Sequence, residues 1–469
     1  MKRLLVMAMG LAWPFLGIVG CSSGRYEPLT AAAADETWTP KHVEEIVVEA
    51  RSIDHPALRP LRIDLNDGLS PDEAAVIAVL ANPGLRAVRE ERGVAEAQII
   101  AVGLLPNPTL ALGMDVPVES PGKSIGYNAG VEWEISALVP RESKIDAASR
   151  QAAAVDLDIA WQEWQTAESA KIAVLRLAAL ERERAQADAL NRLLEQNLAT
   201  VSEAAREGQV TEIERAAAEA AHEESRSKVL ELDREVAKRS LELKRLLGMP
   251  ADREIRLEEN ILLPECLHAP TPADLTEKLE HRRLDLLALR KGYESGTAAV
   301  RAAVLSQFPR IAIGVGQSRD TDSIYTVGPS LSIELPVLDH RQADVALENA
   351  SQKRLLAEYA SRVFEAENDI AMLLADIQAV DRELAAAQSA VPILEHLAQT
   401  VQAASAEGNV DILSYYNAVN NLSQKRIEII GLEAQLAELG IGLEIAAGRD
   451  LPELRGVAGV CAAPPENRP

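Results

Sequence analysis

Few residues in this chain are spaced for covalent chemistry. The seven histidines, His42, His55, His222, His268, His281, His340 and His396, are scattered, with no His-x-His or His-Glu-x-x-His pair to hold a metal ion. No Gly-x-Ser-x-Gly turn presents a nucleophile, and no glycine-rich loop is set to cradle a phosphate. Cys266 and Cys461 lack metal-ligand spacing and read as free or incidentally paired thiols. The remaining thiol, Cys21, directly follows an uncharged leader. Four carboxylates, Asp115, Glu132, Glu134 and Glu334, sit instead at alternate positions of short segments, where they would hold charge against water rather than move protons. An enzyme is therefore not expected, and neither a cofactor nor a metal site is called for.

Those carboxylates belong to two pairs of segments with a period of two. Leu110, Leu112, Met114, Val116 and Val118 alternate with Thr109, Ala111, Gly113, Asp115 and Pro117. After a polar break, Tyr127, Ala129, Val131, Trp133 and Ile135 alternate with Asn128, Gly130, Glu132, Glu134 and Ser136. About two hundred residues on, Ile311, Ile313 and Val315 alternate with Arg310, Ala312 and Gly314, and Tyr325, Val327, Leu331, Ile333 and Leu335 alternate with Thr326, Gly328, Ser330, Ser332 and Glu334. Each pair predicts a hairpin, over 108–138 and 309–336, with different solvents on its two faces. Roughly ten residues per strand and aromatic residues near strand ends suit a transmembrane β-wall.

The N-terminus reads as an export signal over residues 1–20: Lys2 and Arg3, then no charge from Leu4 to Gly20. The run Gly17-Ile18-Val19-Gly20-Cys21 resembles the lipobox of bacterial lipoproteins, which implies cleavage before Cys21, acylation of its thiol and, with Ser22 and Ser23 following, an outer-membrane address. No later stretch offers about eighteen consecutive apolar residues, so no spanning helix is expected. A formal charge of −24 over 469 residues argues against nucleic acid as a partner.

Residues 21–69, with Pro28, Pro40, Pro56 and Pro60 and no sustained period, read as an extended lead from the anchor. Ser70-Pro71-Asp72-Glu73 marks a helix start, interrupted at Asn82-Pro83-Gly84 and stopped at Pro106-Asn107-Pro108. From 142 to 206 there is neither proline nor glycine, which predicts a helix about 100 Å long. It should turn at Glu207-Gly208-Gln209-Val210, and a return helix over 213–247 should close at Gly248-Met249-Pro250. After a connector, 249–270, the chain repeats itself at an offset of about 200. Thr271-Pro272-Ala273-Asp274 echoes Ser70-Pro71-Asp72-Glu73, Pro309 echoes Pro108, Glu407-Gly408-Asn409-Val410 echoes the first turn, and Gly448 echoes Gly248. The second copy, 271–448, thus carries its own hairpin, long helix (341–406) and return helix (410–447), before a Pro-rich tail over 449–469 read as poorly ordered.

Four strands cannot close a barrel, and open edges in hydrocarbon leave backbone groups without partners at several kcal/mol each. Strands must then be pooled from two, three or four copies, around a lumen made negative by Asp115, Glu132, Glu134 and Glu334.

The duplicated unit, the lipobox, Leu105-Pro106-Asn107-Pro108 ahead of the first strand and the two Glu-Gly-x-Val turns together resemble the TolC family of outer-membrane efflux proteins. The resemblance covers roughly residues 70–448. It implies a mainly α chain with a pair of transmembrane β-hairpins, trimerising into a twelve-stranded barrel that a long α-helical periplasmic barrel continues. It also implies an efflux channel in the outer membrane, working with a periplasmic adaptor and an inner-membrane pump, and places Gly208, Val210, Gly408 and Val410 at the tip that meets the adaptor. The arginine and two aspartates that gate the best-known members are unmatched: the second copy has Val410, Ser414 and Asn417, the first Val210, Glu214 and Ala217. Glu214 is the one charge at a matching place, with Glu212 and Asp411 beside the turns as caps or constriction charges. The rival is a non-conducting coiled-coil lipoprotein that spaces envelope layers; such a spacer has no use for two amphipathic hairpins.

Overall fold

A computed structural model describes residues 29–32, 40–118, 124–406, 411–451 and 454. The chain divides into two units, 1–40 and 41–469; the architecture below is that of the second. Cys21, Gly408 and Val410 lie outside the described residues.

The order is α1 (Val43–Ala50), α2 (Pro71–Ala81), α3 (Pro83–Gly103), β1 (Thr109–Asp115), β2 (Gly126–Glu134), α4 (Arg141–Arg206), α5 (Glu212–Leu246), α6 (Pro272–Thr276), α7 (Leu279–Arg282), α8 (Leu284–Leu305), β3 (Ile311–Arg319), β4 (Tyr325–Ile333), α9 (Gln342–Ala406) and α10 (Ile412–Ala447). The two long helices are 66 and 65 residues, about 100 Å each at 1.5 Å per residue. The four strands form one antiparallel sheet in the order β1-β2-β3-β4. Among the described residues no helix is long and apolar enough to cross a membrane.

The duplication holds in detail. Ser70 caps α2 in a capping box, its hydroxyl accepting from Glu73 N and its own N–H donating to the Glu73 carboxylate at 3.0 Å. Thr271 caps α6 in the same place, accepting from Asp274 N. At the break between α2 and α3, Asn82 Nδ2 donates to the last carbonyl of α5, Leu246 O, at 2.9 Å. One repeat later Arg283 Nη1 donates to Ala446 O of α10 at 3.3 Å. Both return helices end on a left-handed glycine, Gly248 (φ +62°) and Gly448 (φ +67°). A Cβ there would be strained by φ and would also collide with the Ala81 carbonyl or the Arg283 side chain.

Each repeat has its own apolar core where the short helices meet the long ones. The first gathers Ile77, Val174, Leu177, Leu243 and Leu247; the second gathers Leu275, Leu286, Ile370, Ile377, Leu436 and Leu443. A further cluster joins the far ends of the long hairpins, with Leu194, Val201, Ala218, Ala398, Tyr415 and Tyr416.

Two expectations change. The 21–69 segment is not extended throughout: Val43–Ala50 is helical, and Ile46 (4% exposed), Ala50 (0%) and Ile63 (5%) enter the first core. Ile46, Val47 and Ala50 have helical spacing, and burial of that stripe outweighs the flanking prolines. Cys266 is disulfide-bonded, so of the two readings of that thiol the paired one applies.

Candidate functional site

The sheet has two unlike faces because cross-strand partners share a face. One face carries the rows Leu110, Val131, Val315, Pro329; Leu112, Ala129, Gln317, Val327; and Trp133, Ile313, Leu331. These side chains have no protein above them: Leu112 is 73% exposed and Val327 76%. The opposite face is small or polar, with the rows Ala111, Gly130, Gly316, Gly328; Gly113, Asn128, Ser318, Thr326; and Thr109, Glu132, Gly314, Ser330. Large apolar residues standing bare over a whole sheet face mark a surface made for a nonaqueous partner. Nine residues in each of β2, β3 and β4 give about 30 Å, and a tilt of about 40° lowers this to roughly 23 Å, near the apolar height of an outer-membrane wall.

All four expected carboxylates lie on the small, polar face. Glu132 stands over Gly314 and beside Ser330, whose hydroxyl is 3.5 Å away. A Cβ on Gly314 would come within 2.6 Å of Ser330 Oγ and the Val131 carbonyl and 2.8 Å of Glu132 Cγ. Glycine at 314 is thus what lets the glutamate lie along the wall. Glu134 accepts from Ser136 Oγ at 3.2 Å, and that oxygen accepts from Ile311 N at 3.0 Å, tying the first hairpin to the second. Glu334 pairs with Arg310 at 3.4 Å. Asp115 ends β1 opposite Gly126. At the helix-proximal end, Trp133 Nε1 donates to Pro106 O at 2.8 Å, fixing the Leu105-Pro106-Asn107-Pro108 lead-in against the sheet.

At the opposite extreme, α4 turns into α5 through Gly208 (φ +75°), and Val210 packs on the tip cluster. Glu214 is also a helix cap. It closes a capping box on Thr211, accepting from Thr211 N at 2.6 Å and Oγ1 at 2.8 Å, and those hydrogen bonds hold its carboxyl below the usual range. Glu212 is bound to Arg215 at 2.5 Å, which likewise lowers its pKa. Asp411 caps α10, accepting from Leu413 N at 3.3 Å. Helix starts are where these three carboxylates are spent.

Sequence reading missed the tyrosines of the tip. Tyr416 donates to Asn197 Oδ1 of α4 at 2.5 Å, joining the two repeats, and burial with Tyr415 alongside pushes its phenol up to about 12. It also missed a buried ionic group between α4 and α10. Lys171 Nζ lies 2.9 Å from Glu168 Oε1 and 3.8 Å from Asp72, Trp164 Nε1 donates to Glu168, and Glu444 accepts from Leu451 N at 2.8 Å. Burial drives the Glu444 carboxyl up to about 7. No group of residues suited to a metal ion occurs among the described residues.

A two-faced β-sheet joined to paired helices of about 100 Å is a fold this chain shares with solved outer-membrane proteins. The fold is shared with a membrane protein from Pseudomonas aeruginosa (TM-score 0.69, 20% identity, over 87% of this chain and 99% of that one). It is shared equally with the outer membrane protein VceC of Vibrio cholerae (0.66, 16%, 81% and 96%) and with the MtrE outer membrane channel of Neisseria gonorrhoeae in its open state (0.64, 16%, 88% and 96%). No curated protein matches the chain by sequence. Residues 275–449, within the second repeat, match the sequence model of the outer membrane efflux protein family.

Proposed function

We propose that this chain is the outer-membrane channel of an efflux system, three copies closing a twelve-stranded barrel whose helical hairpins continue the passage into the periplasm. The single observation that supports it most is the sheet itself. Its apolar face is bare, its other face is small and acidic, and its order leaves β1 and β4 each with an outer edge that only another copy can pair. In this reading Cys21 carries the lipid anchor, and the tips around Gly208 and Gly408 meet a periplasmic adaptor bound to an inner-membrane pump. Glu132, Glu134 and Asp115 outnumber Arg310 on the inner wall, which favours cations, although a wide wet pore selects weakly.

The test is reconstitution of the detergent-purified protein into planar bilayers. Discrete, cation-preferring conductance from a particle of trimer mass is expected; a particle of that mass giving no current would leave the spacer reading in its place.

A further inference from the structure

Arg319 is the one cation on the apolar face of the sheet. It ends β3 in the row Met114, Tyr127, Arg319, Tyr325, two residues beyond the Leu112 row and on the side away from the helices. Its guanidinium lies 5.5 Å from the centre of the Tyr325 ring, and Tyr127 meets Tyr325 edge-on at 6.4 Å. Arg310, by contrast, lies on the polar face and has Glu334 as its counter-ion.

Among the described residues, the hydrogen bonds of Arg319 reach hydroxyls only. Nη2 donates to Ser323 Oγ at 2.9 Å and, at the limit, to Ser124 Oγ at 3.5 Å, and the two hydroxyl oxygens are 2.8 Å apart. Nε is buried without a partner. The nearest acid in sequence, Asp320, spends its Oδ1 on Asp322 N and Ile324 N within the turn. Ser323 holds its place through a left-handed backbone (φ +64°), unusual for a residue with a side chain. The guanidinium is thus held by hydroxyls and a ring, with Nη1 making no hydrogen bond among the described residues.

A guanidinium facing lipid near the end of a strand costs little only where a counter-charge is at hand. β1 departs from the helical side at Thr109, so the Arg319 row lies at the barrel's outer rim, if the channel reading above holds. We infer that Arg319, framed by Tyr127 and Tyr325, binds the phosphate of a phosphorylated lipid in the outer leaflet. The unengaged Nη1 can donate a charge-assisted hydrogen bond to a phosphate monoester, and the tyrosines sit at the polar boundary where such headgroups lie.

The experiment is native mass spectrometry of the delipidated, detergent-solubilised full-length protein. It is offered equal amounts of a bis-phosphorylated lipid A and the same lipid without phosphates, with and without inorganic phosphate, alongside Arg319→Gln, Arg319→Lys and Arg310→Gln. The expected result is retention of the phosphorylated lipid with an affinity about fivefold or more above that of Arg319→Gln, partial recovery in Arg319→Lys and no change in Arg310→Gln. Equal retention by Arg319→Gln, equal retention of the dephosphorylated lipid, or displacement by equimolar inorganic phosphate would each overturn it. Conductance of the same preparations separates this from the channel reading: a conducting trimer without phosphate preference defeats the lipid site alone, whereas a particle soluble without detergent defeats both.

Discussion

Placing one carboxylate on each face of a single strand tests the membrane assignment at adjacent residues. Leu112 is the middle residue of β1 and points from the apolar face, whereas Ala111 points from the other, in a row whose partners are Gly130, Gly316 and Gly328. Leu112→Asp would place a charge in hydrocarbon. Cations at the bilayer midplane of such walls cost about 2–4 kcal/mol and acids less, so about 2 kcal/mol is a fair value here. Withdrawing the leucine, 73% of whose surface stands free for lipid, forfeits about 1–2 kcal/mol more. The sum is about 3–4 kcal/mol per copy and, in the proposed trimer, three times that per barrel, comparable to the whole stability of an ordinary domain. Ala111→Asp adds its charge beside three glycines in the wet lumen and should cost under about 1 kcal/mol. The assay is the fraction of expressed protein that resists urea extraction from outer membranes. Leu112→Asp should lose most of that fraction and Ala111→Asp should keep it. Equal loss, equal tolerance or the reverse order would refute the assignment of faces, and with it the bilayer as the sheet's solvent.

Gly314→Ala should depress trimer yield, costing about 1–3 kcal/mol because the Val131 carbonyl cannot retreat, while Gly328→Ala, with nothing near its would-be Cβ, should match the parent in heat-stability of the trimer band. His55 Nδ1 accepts from Ala57 N and Leu58 N, and Nε2 lies 3.1 Å from Ala160 O with Glu163, Arg89 and Asp54 around it; burial lowers its pKa below 6.5. The unfolded chain therefore binds the extra proton first, and stability falls as pH drops below 6.5, loosening Ala57 and Leu58 from Trp161 and Trp164. Tryptophan emission should shift to the red below that pH in the parent and hold a constant position in His55→Gln. Glu444 has the opposite sign: its folded pKa is raised from 4.5 to about 7, so the folded state binds the extra proton and stability declines between those values as pH rises, by on the order of 2 kcal/mol. Glu444→Gln should flatten that slope in denaturant titrations, and an unchanged slope would exclude the residue as its source. If Cys21 carries lipid, Cys461 is the one sulfur left to pair with Cys266, and nonreducing peptide mapping should join their peptides; a peptide joining Cys21 to Cys266 would count against acylation.

The two faces of the sheet were legible in the sequence because a strand's side-chain period is two by backbone geometry alone, and apolar residues fill one half of it apart from Gln317 and Arg319. The long helices were equally plain, since nothing within 142–206 can break one. What stayed hidden depends on partners distant in sequence. Lys171, Glu168 and Glu444 look like solvated charges on α4 and α10 until those helices pack together and remove the water. Glu214 is legible in both its roles: Thr211-Glu212-Ile213-Glu214 is a capping-box sequence on its face, and the capping carboxylate keeps its charge.

The two copies keep one scaffold but fasten it differently, and the difference bears on where such a chain can move. Asn82 closes the first repeat on itself, through a neutral amide to Leu246 O. Its counterpart Arg283 does the same for the second repeat and does more. It holds Asp285 at 2.7 Å and lies 5.0 Å from the Trp161 ring of α4, which belongs to the first repeat. Lys171 and Glu168 of α4 face Glu444 of α10 a few turns away, and Arg176 of α4 pairs with Glu438 of α10. The Arg283–Trp161 and Arg176–Glu438 contacts cross between the repeats, and Lys171 attracts the buried Glu444 across them, so the repeats are tied along their middle. Beyond them toward the tip the polar ties include Arg184 to Asp233 within the first hairpin, Arg426 to Glu395 within the second and Tyr416 to Asn197 between the two, beside the apolar tip cluster. A displacement of one hairpin against the other must therefore break the tyrosine contact before it strains the middle, and that order follows from which side chains replaced Asn82 and its neighbours in the second copy.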